Sequence, residues 1–534
     1  MLARIVDNWL TSAGELGYQA AFTQLIAVEG QRVLHAPVHH PHEHGKDLIA
    51  VDGGGTLFAY QLKGGDIGIA ELEEIQGQLF ALAGTALTYP GLEPARRPDR
   101  VVLVTNGRLS APARSRLHDF NEANKAFYFP PIEPVERDQL VGRFVAAHGS
   151  YLPAEPRDFN RFLGLILKDG RGVFPVKEHA SFIHELLVPV KEPPKDAQLQ
   201  RSLASVTLLT AYVVGPWQRT ANHLAVAQGW LALAIETLAF AEQYDLDDEH
   251  WRQSFELARD SARAALSRLL DEAVAVEDLV VPDMVEGLFH SVRASLVCGF
   301  LAAFAIGERE LDGPPDVLER VAGLLLRELE YLQVTGEAGM PQLLMVATVL
   351  EATGHQLEAG KIVALWAISL VKNNQPGSAD AVADPYHSIE ETLLHGFGAD
   401  TDIVDEQFSG QAFTLHVALE WLARRDARAV VAKLWPEVTR LHFCEFQPSK
   451  PARLLAFDDE EGVTETWAPN TPQSWAELSA TSKVVREGEL PDRLWRELSM
   501  IPYLPLLYPQ RMTSAVAKAL DYIVSGRANV EFDR

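Results

Sequence analysis

Residues 45–65 read GKDLIAVDGGGTLFAYQLKGG, and this stretch decides the fold of the amino-terminal part of the chain. Its two apolar runs, residues 47–51 and 56–63, are rich in residue types that favour β-strands. The sequence Asp52-Gly53-Gly54-Gly55 between them supplies the positive φ angles that a tight turn requires. The stretch therefore predicts a β-hairpin with two antiparallel strands.

Three polar side chains are expected to gather at one end of this hairpin. Asp47 begins the first strand, and Gln61 and Lys63 end the second. Because side chains alternate along a strand, Gln61 and Lys63 project from the same face and Leu62 from the other. Asp47, Gln61 and the Leu62 backbone carbonyl are the oxygen ligands that Mg²⁺ or Mn²⁺ prefers, and Lys63 is placed to orient or activate an attacking water. This arrangement is typical of metal-assisted phosphodiester hydrolysis.

The pattern Asp47…Gln61-x-Lys63 resembles the D…(D/E/Q)xK motif of the PD-(D/E)xK nucleases, and its glutamine form is similar to the Mrr-like restriction endonucleases. The resemblance covers about residues 15–148 and implies a restriction-endonuclease-like mixed α/β sheet, catalysis by the three motif residues, and double-stranded DNA as the substrate. Other segments resemble the same family in the same order along the chain: Gly17-Tyr18…Phe22…Leu25…Val33-Leu34, Gly45-x-Asp47-Leu48-Ile49-Ala50, the strand and helix start Val101-Val102-Leu103-Val104-Thr105-Asn106-Gly107-Arg108-Leu109-Ser110-x-x-Ala113-Arg114, and the closing strand and helix Phe127-Tyr128-Phe129…Asp138-Gln139-Leu140-Val141.

One position departs from this family. Many relatives have a glutamate on the first helix just after the position of Phe22, where this chain has Thr23 and Gln24. Either the metal has fewer ligands here or another side chain takes that place. The accessory candidates are Gln24, Glu29, Glu43 and His44, and the other nearby acids are Glu15, Glu71, Glu73 and Glu74.

Residues 35–44 contain five histidines and two prolines. One interpretation is a transition-metal site, and another is a histidine that contacts the scissile phosphate or donates a proton. A third is a solvated loop that titrates near neutral pH. No cysteine lies nearby, and oxygen-coordinated magnesium or manganese suits Asp47 better.

The composition indicates a globular protein of several domains. The chain has 534 residues, of which 47% are hydrophobic. Cys298 and Cys444 lack metal-ligand spacing, which is typical of a reducing cytoplasm. The amino terminus has too few consecutive apolar residues for a signal peptide, and runs such as residues 296–306 are shorter than the roughly 20 residues that span a bilayer. We therefore expect a cytoplasmic protein without a membrane partner.

The net charge of −26 is unevenly distributed. Residues 1–150 contain 13 Lys/Arg and 17 Asp/Glu, whereas the remainder contains 34 and 56, so the excess acid lies outside the nuclease-like part. That part can still present arginines to phosphate groups. The candidates for nucleic-acid binding are Arg97, Arg108 and Arg114, with Arg96, Arg100 and Arg116 beside them in sequence.

The pattern changes near residues 151–156, where two prolines and a polar cluster predict a domain boundary. Residues 1–150 are expected to order their elements as helix, three strands, helix, strand, helix and strand. The remainder is expected to be all-α, either an irregular solenoid or a bundle, because no fixed repeat period is present. The chain is thus predicted to be an α+β multidomain protein with domains at residues 1–150, 151–374 and 386–534, the last either separate from or continuous with the second. Helices are expected at residues 203–213, 224–244, 252–274, 284–306, 315–332, 340–352, 356–373, 389–397, 411–424, 427–441 and 512–525.

The sequence contains no GxxxxGK[ST], GxSxG or HExxH motif, which argues against NTPase, α/β-hydrolase and zincin chemistry. The first hypothesis is a divalent-metal-dependent DNA endonuclease. A nuclease fused to a large helical region resembles effectors of prokaryotic antiviral defence or restriction, in which the helical region acts as a sensor, a surface for a protein partner or a self-association surface. The alternative is a catalytically weakened nuclease fold that binds nucleic acid or a protein partner as a scaffold.

Overall fold

The structure is a computed structural model of the chain that forms two compact units. Unit 1 comprises Met1–Thr237 and Leu246–Ala265, and unit 2 comprises Leu238–Asp245 and Leu266–Arg534. The structure describes residues 2–13, 15–35, 48–89, 92–147, 156–187, 196–276, 287–332, 336–378, 389, 409–448, 450–457, 463–467, 474–482, 484–486, 489–525 and 531–533.

Unit 1 is built on a five-stranded mixed sheet with the strand order β1-β2-β3-β6-β7. Strands β1, β2 and β3 are antiparallel neighbours, whereas β3, β6 and β7 run parallel. Strands β4 and β5 form a separate hairpin. The strands are β1 (Gln31–His35), β2 (Leu48–Asp52), β3 (Leu57–Lys63), β4 (Leu87–Tyr89), β5 (Leu92–Arg96), β6 (Arg100–Thr105) and β7 (Ile132–Val135).

The predicted hairpin is present as β2 and β3, with Leu48 paired to Tyr60 and Val51 to Leu57. Gly55 has φ +81°, the left-handed conformation that the glycine-rich turn was expected to need. The Asp52 carboxylate accepts hydrogen bonds from the backbone amides of residues 54 and 56, each at 2.9 Å. The backbone amide of Thr56 makes the largest contribution to lowering the pKa of Asp52. The turn is therefore held by its own first residue.

The helices of unit 1 cover both faces of this sheet. Leu57 and Ala59 of β3 share a buried core with Leu72, Leu79 and other residues of α3 and α4. Phe22 of α2 meets Tyr60 edge to face on the other side. The helices are α1 (Leu2–Ser12), α2 (Glu15–Val28), α3 (Ile69–Gly84), α4 (Ala111–Asn124), α5 (Arg137–Ala147), α6 (Pro156–Ile166), α7 (Val176–Leu187), α8 (Asp196–Arg219), α9 (His223–Gln243) and α10 (Asp248–Ala275), of which the last two continue into unit 2.

Helix α8 packs on both α2 and α1. The Trp9 ring of α1 meets Tyr212 of α8 with the ring centroids 4.6 Å apart. The predicted domain boundary near residue 150 therefore lies inside unit 1, and the residues between α5 and α6 fall outside the described part of the chain. The helices α6 and α7, which the sequence analysis did not identify, belong to the same unit.

Unit 2 is mostly helical and also contains strands. Its helices are α11 (Gly287–Glu310), α12 (Val317–Glu328), α13 (Met340–Ala352), α14 (Gln356–Asn373), α15 (Leu415–Arg424), α16 (Arg428–Val431), α17 (Trp435–Val438), α18 (Trp475–Thr481), α19 (Asp492–Arg496), α20 (Leu504–Leu507) and α21 (Ser514–Ser525). Its strands are β8 (Gln411–Ala412), β9 (His442–Phe446), β10 (Val463–Trp467), β11 (Val484–Arg486) and β12 (Glu531–Asp533). They form a three-stranded sheet of order β10-β9-β8 and a parallel pair of β11 and β12.

The expectation that everything after residue 150 is all-α is therefore wrong in detail. Strand β10 lies in a stretch expected to be irregular, and it pairs with β9. The helix expected at residues 427–441 is two short helices instead, and Pro436 in the first turn of α17 is incompatible with a continuous helix because its ring removes an amide donor and clashes with the preceding turn. The helix expected at residues 389–397 lies outside the described residues except for Ile389.

Two expectations in unit 1 also need correction. The expected order of elements has no strand between α3 and β6, but β4 and β5 lie there. The proline in β5 does not prevent this, because β5 has a single partner strand and so keeps an unpaired edge. Residues 127–129 are not the closing strand. Phe127 is the last residue of the 3-10 helix Lys125–Phe127, and Tyr128 has a left-handed backbone with φ 55° that breaks any extended run. The closing strand is β7, which begins at Ile132.

Among the described residues, α9 is the one helix long and apolar enough to cross a bilayer by length and composition. It has 21 residues, and 94% of its apolar window is buried inside the protein. Burial of this kind is typical of a core helix of a globular fold.

Candidate functional site

Gln61 and Lys63 lie on the same face of β3, as the alternation of side chains predicts. Gln61 pairs in register with Leu103 of β6, and Lys63 pairs with Thr105. Gln61 is buried, with 1% of its surface exposed, whereas Lys63 is half-buried. Both belong to the face that packs against α3 and α4, because Ala59 on the same alternation is part of that core. The amide is thus enclosed while the ammonium group lies at the rim of the sheet.

The main chain at Lys63 is held by Tyr18, which is fully buried on α2. The Tyr18 hydroxyl donates to the carbonyl of Lys63 at 2.9 Å and lies 3.2 Å from the carbonyl of Val104. The same oxygen accepts the Lys63 backbone amide at 3.2 Å. Tyr18 therefore fixes the ends of β3 and β6 relative to each other, and a buried tyrosine needs such partners for its hydroxyl.

Asn106 makes a second tie just after these strands. Its side-chain oxygen accepts the amide of Gly65 at 2.7 Å, and its side-chain nitrogen donates to the carbonyls of Leu10, at 2.8 Å, and Ala13 at the end of α1. The Thr105 hydroxyl also donates to the carbonyl of Gly65 at 2.6 Å. The segment after Lys63 is therefore connected to both α1 and β6. The resemblance of residues 101–114 to a strand and a helix start does not predict this role for Thr105 and Asn106.

The predicted metal ligands are divided between described and undescribed residues. Asp47, Glu43 and His44 lie outside the described residues. The described donors are the amide oxygen of Gln61 and the backbone carbonyl of Leu62, both neutral oxygens of the type that hard divalent cations accept. Within the described ranges no three His, Cys, Asp or Glu side chains form a group that could hold a metal ion. These donors therefore fit the chemistry of Mg²⁺ or Mn²⁺ only when Asp47 supplies the anionic ligand.

Gln24 and Glu29 are not brought together with Gln61. Phe22 faces Tyr60 on the opposite side of the sheet, and Gln24 follows Phe22 by a rotation of about 200° around α2, so it points away from the sheet. Glu29 forms an ion pair with Arg143, and the Arg143 guanidinium also lies over the Phe22 ring at 5.2 Å. Both accessory candidates thus belong to the α2 side, whereas Gln61 belongs to the α3 side.

Tyr60 is buried on the opposite side of the sheet. Burial raises the pKa of Tyr60 to about 12, while Gln31 and Arg143 lower it by smaller amounts and Glu29 raises it slightly. Its hydroxyl donates to the side-chain oxygen of Gln31 at 2.8 Å. The α2 face is therefore a packed interior.

The acids of α3 lie on the same side of the sheet as Lys63 and have partners of their own. Glu71 accepts the backbone amide of Gly68 at 3.1 Å and so caps the start of α3. Glu73 lies 3.8 Å from Arg116. Glu74 is exposed, and the side chain of Glu15 is outside the described part of the chain.

The arginines expected to face phosphate groups each contact an acidic or aromatic side chain. Arg114 meets a largely buried acid, and the carboxylate of that acid, Glu136, also accepts the amide of Leu109 at 3.0 Å. Arg97 differs from the rest because it is held by an aromatic ring rather than by a carboxylate. The pairs are Arg96 with Asp99 (3.7 Å), Arg97 with the Phe129 ring (5.3 Å), Arg100 with Glu133, Arg108 with Asp138 (3.1 Å), Arg114 with Glu136 (2.6 Å) and Arg116 with Glu73 (3.8 Å).

Unit 2 contains a dense group of buried charged side chains. Arg424 and Arg425 both bind Asp521, whose side chain is 5% exposed, and Arg425 also binds Glu351. The two arginines lower the pKa of Asp521, although burial acts in the opposite direction and is the largest influence. His416 lies 3.4 Å from Glu445 in the same unit. These groups neutralise one another inside the fold.

Glu337 caps the start of α15, although it lies 76 residues before Phe413 in the sequence. Its carboxylate accepts the backbone amides of Phe413, at 3.1 Å, and Thr414, at 2.7 Å, together with the Thr414 hydroxyl. A carboxylate at this position satisfies donors that a helix leaves unpaired in its first turn. Burial nevertheless raises the pKa of Glu337 to about 7.

The end of β3 and the buried charges of unit 2 therefore differ in what they can do. The charges of unit 2 are paired with one another inside the fold, whereas Lys63 is half-buried at the end of β3. No protein-family model, no curated protein and no solved structure matches this chain. The functional assignment therefore depends on the chemistry of the residues themselves.

Proposed function

We propose that unit 1 is a divalent-metal-dependent DNA endonuclease and that the chain is an effector of prokaryotic antiviral defence or restriction. The supporting observation is that Gln61 and Lys63 share one face at the end of β3. Strand β2 runs antiparallel to β3, and Leu48, the chain neighbour of Asp47, is paired with Tyr60, the neighbour of Gln61. The proposed metal ligands thus adjoin paired strand positions.

In this mechanism Asp47, Gln61 and the Leu62 carbonyl would hold Mg²⁺ or Mn²⁺, which when bound stabilises the negative charge that develops on the phosphate. The Lys63 ammonium orients the attacking water and holds it near the phosphorus. Tyr18 and Asn106 keep the main chain on either side of Lys63 fixed, because a small displacement of a positioned group reduces the rate strongly. The helical part acts as a sensor or as an assembly surface for a protein partner or a second copy.

The test is cleavage of supercoiled plasmid by the full chain with Mg²⁺ or Mn²⁺. We expect Lys63→Ala to reduce the rate by about 100-fold or more, the range found for positioned proton-transfer groups. The matched control is Lys168→Ala, because Lys168 is an exposed lysine of the same unit. Asp47→Asn should also abolish metal-dependent cleavage. Full activity in Lys63→Ala would remove the lysine from the mechanism.

The alternative is a weakened nuclease fold that serves as a scaffold for nucleic acid or for a protein partner. It is favoured by α2, in which Thr23 and Gln24 stand where many relatives have a glutamate and Gln24 points away from the sheet. A wild-type chain that binds DNA but cuts it with neither metal would establish this alternative. In that case Lys63→Ala and Lys168→Ala would behave alike.

A further inference from the structure

An exposed group of aromatic side chains lies on unit 1 where α3 and α4 end. Phe80 contacts both Phe127 and Phe129, with ring centroids 5.7 and 5.2 Å apart, and the last two contact each other at 5.6 Å. Phe80 is 40% exposed and Phe127 is 54% exposed. Tyr128, between the two phenylalanines in sequence, is 92% exposed. We refer to Phe80, Phe127, Tyr128 and Phe129, together with Arg97, as the aromatic surface.

The backbone holds these rings in place. Tyr128 has a left-handed backbone, which is unfavourable for a residue with a bulky side chain, and its amide donates to the carbonyl of Lys125 at 3.1 Å. Phe129 packs so closely on α3 that a Cβ atom at Gly84 would lie 2.6 Å from its ring. The fold thus fixes the positions of these rings. Backbone strain such as that of Tyr128 is characteristic of functional positions.

A cation completes the aromatic surface. The Arg97 guanidinium lies 5.3 Å from the centroid of the Phe129 ring. No carboxylate of a described residue lies within ion-pair distance of Arg97, which separates it from the other five arginines of this region. An exposed guanidinium on exposed rings is suited to an anionic ligand that also has flat apolar faces.

The size of the aromatic surface argues against a protein partner. Stable protein interfaces bury roughly 800 Å² on each partner and involve about 20–30 residues a side. Four aromatic residues, each of which buries roughly 150–250 Å² even when fully covered, do not reach that size, because Phe80, Phe127 and Phe129 are already about half-covered or more. Unpaired nucleobases are a better match, because base stacking needs only one or two rings per base and tolerates any sequence.

We infer that the aromatic surface binds single-stranded nucleic acid by stacking its bases, with Arg97 contacting the backbone phosphate. This inference goes beyond the proposed hydrolysis, because it concerns the opposite end of the parallel strands. Lys63 lies at the carboxyl end of β3, whereas the aromatic surface adjoins the chain just before the amino end of β7, which runs in the same direction. A parallel strand of six residues spans about 20 Å, so the two places are separated by roughly that length.

The test measures binding of the full chain to fluorescently labelled dT and rU oligonucleotides and to a duplex of equal length. Chelator is present throughout, so that the outcome does not depend on cleavage. We expect the single strands to bind more tightly than the duplex. Tyr128→Ala and Arg97→Ala should each weaken single-strand binding by about tenfold, the lower part of the range for loss of one stacking contact. Tyr128→Trp should retain binding.

Matched controls distinguish this surface from general exposure and charge. Leu167 is a large apolar residue of unit 1 that is 78% exposed, and Leu167→Ala should leave binding unchanged. Arg171→Ala serves the same purpose for Arg97, because Arg171 is also exposed in unit 1. Gly84→Ala should weaken binding by displacing Phe129. Because the binding is measured in chelator, it is independent of metal-dependent cleavage, which separates a failure of this inference from a failure of the proposed nuclease.

Salt dependence provides a second readout. Because Arg97 is the one cation of the aromatic surface, the logarithm of the association constant for single strands should fall with the logarithm of salt concentration with a slope of about −0.7. An oligonucleotide containing 5-bromouracil should crosslink to the peptide that contains Tyr128. Wild-type affinity in Tyr128→Ala, tighter binding to the duplex, or a dimer that Tyr128→Ala dissociates would each overturn the inference.

Discussion

The charged groups of unit 2 and the polar end of β3 in unit 1 use similar residue types in opposite ways. In unit 2, Arg424 has 1% of its side chain exposed and binds the equally buried Asp521. In unit 1, Lys63 is half-buried at the rim of the sheet. Removing one member of a buried ion pair leaves an uncompensated charge in a low-dielectric interior, whereas removing a rim lysine does not. The density of charged residues is therefore a poor guide to chemistry, and their accessibility is a better one.

The largest effect on stability is expected from Asp521→Asn. The substitution keeps the shape of the side chain but leaves Arg424 and Arg425 without their shared carboxylate. We expect unit 2 to lose about 3–5 kcal/mol of unfolding free energy. The measurement is urea unfolding with hydrogen exchange followed in α15 and α21.

The control for this change is an ion pair on the surface. Glu122 and Lys125 form such a pair in unit 1, with side chains 50% and 69% exposed. Glu122→Gln should leave the unfolding midpoint unchanged. Equal effects of Asp521→Asn and Glu122→Gln would contradict the contrast between buried and exposed charges.

The next largest effect is a loss of unit 2 stability as the pH rises, which we attribute to Glu337. Its folded pKa of about 7 is above its ordinary value of 4.5, so its contribution to stability is complete below pH 4.5 and is lost as the pH rises through about 7. The raised pKa of His416 likewise stabilises the folded state at lower pH. The lowered pKa of Glu445 beside it stabilises the folded state at higher pH instead. We expect unit 2 to lose on the order of 3 kcal/mol across this pH window through Glu337.

Glu337→Gln tests this assignment. The variant should flatten the decline in unit 2 stability between pH 4.5 and 7, because the group that releases a proton is gone. Thermal unfolding at a series of pH values, with Glu330→Gln at an exposed position of unit 2 as the control, measures the difference. An unchanged pH profile in Glu337→Gln would show that another group causes the decline.

A smaller loss is expected for Asn106→Ala in unit 1. The change leaves the Gly65 amide and the carbonyls of Leu10 and Ala13 without this partner, and an unsatisfied buried polar group costs about 1–3 kcal/mol. We expect about 2–3 kcal/mol by urea unfolding. Asn106→Asp retains the acceptor for Gly65 but turns a buried carboxylate oxygen toward the carbonyls of Leu10 and Ala13, so at neutral pH it should lose at least as much stability. Wild-type stability in Asn106→Asp would show that the donation to Leu10 and Ala13 does not stabilise unit 1.

The smallest effect on stability is expected for Lys63→Ala. A half-buried side chain at a strand end is removed without exposing a core, so the unfolding free energy should change by less than about 0.5 kcal/mol. The same variant should lose cleavage, and this separation is what identifies a residue used for chemistry. A large loss of stability would instead place Lys63 with the structural charges of unit 2.

Much of unit 1 was predictable because its signals are local. The Asp52–Gly55 turn and the alternating strand residues determine the hairpin without help from the rest of the chain. Ser110 was likewise predicted to start a helix, and its side chain accepts the amide of Ala113 at the start of α4. In unit 2, the helices α13 and α14 also begin and end at the expected residues.

The misses arise from contacts between residues that are distant in sequence. Tyr18 and Asn106 hold the end of β3 through partners more than 40 residues away. No pattern in their own segments predicts this. The strands of unit 2 are short, and a strand of two to five residues has too few positions to show a period. The direction of Gln24 depends on α2 lying against the Tyr60 face, which is known only from the fold.

The packing of α8 on α1 and α2 determines which part of this gene can be inherited or exchanged as a unit. A recombination event near residue 150 would separate Trp9 from Tyr212 and would leave apolar helix surfaces uncovered in both products. Residues 1–150, which contain the sheet and its polar strand end, therefore cannot be moved to another protein without α8, even though the sequence motif ends before residue 150. Any transfer of this sheet between genes would therefore have to include residues 196–219.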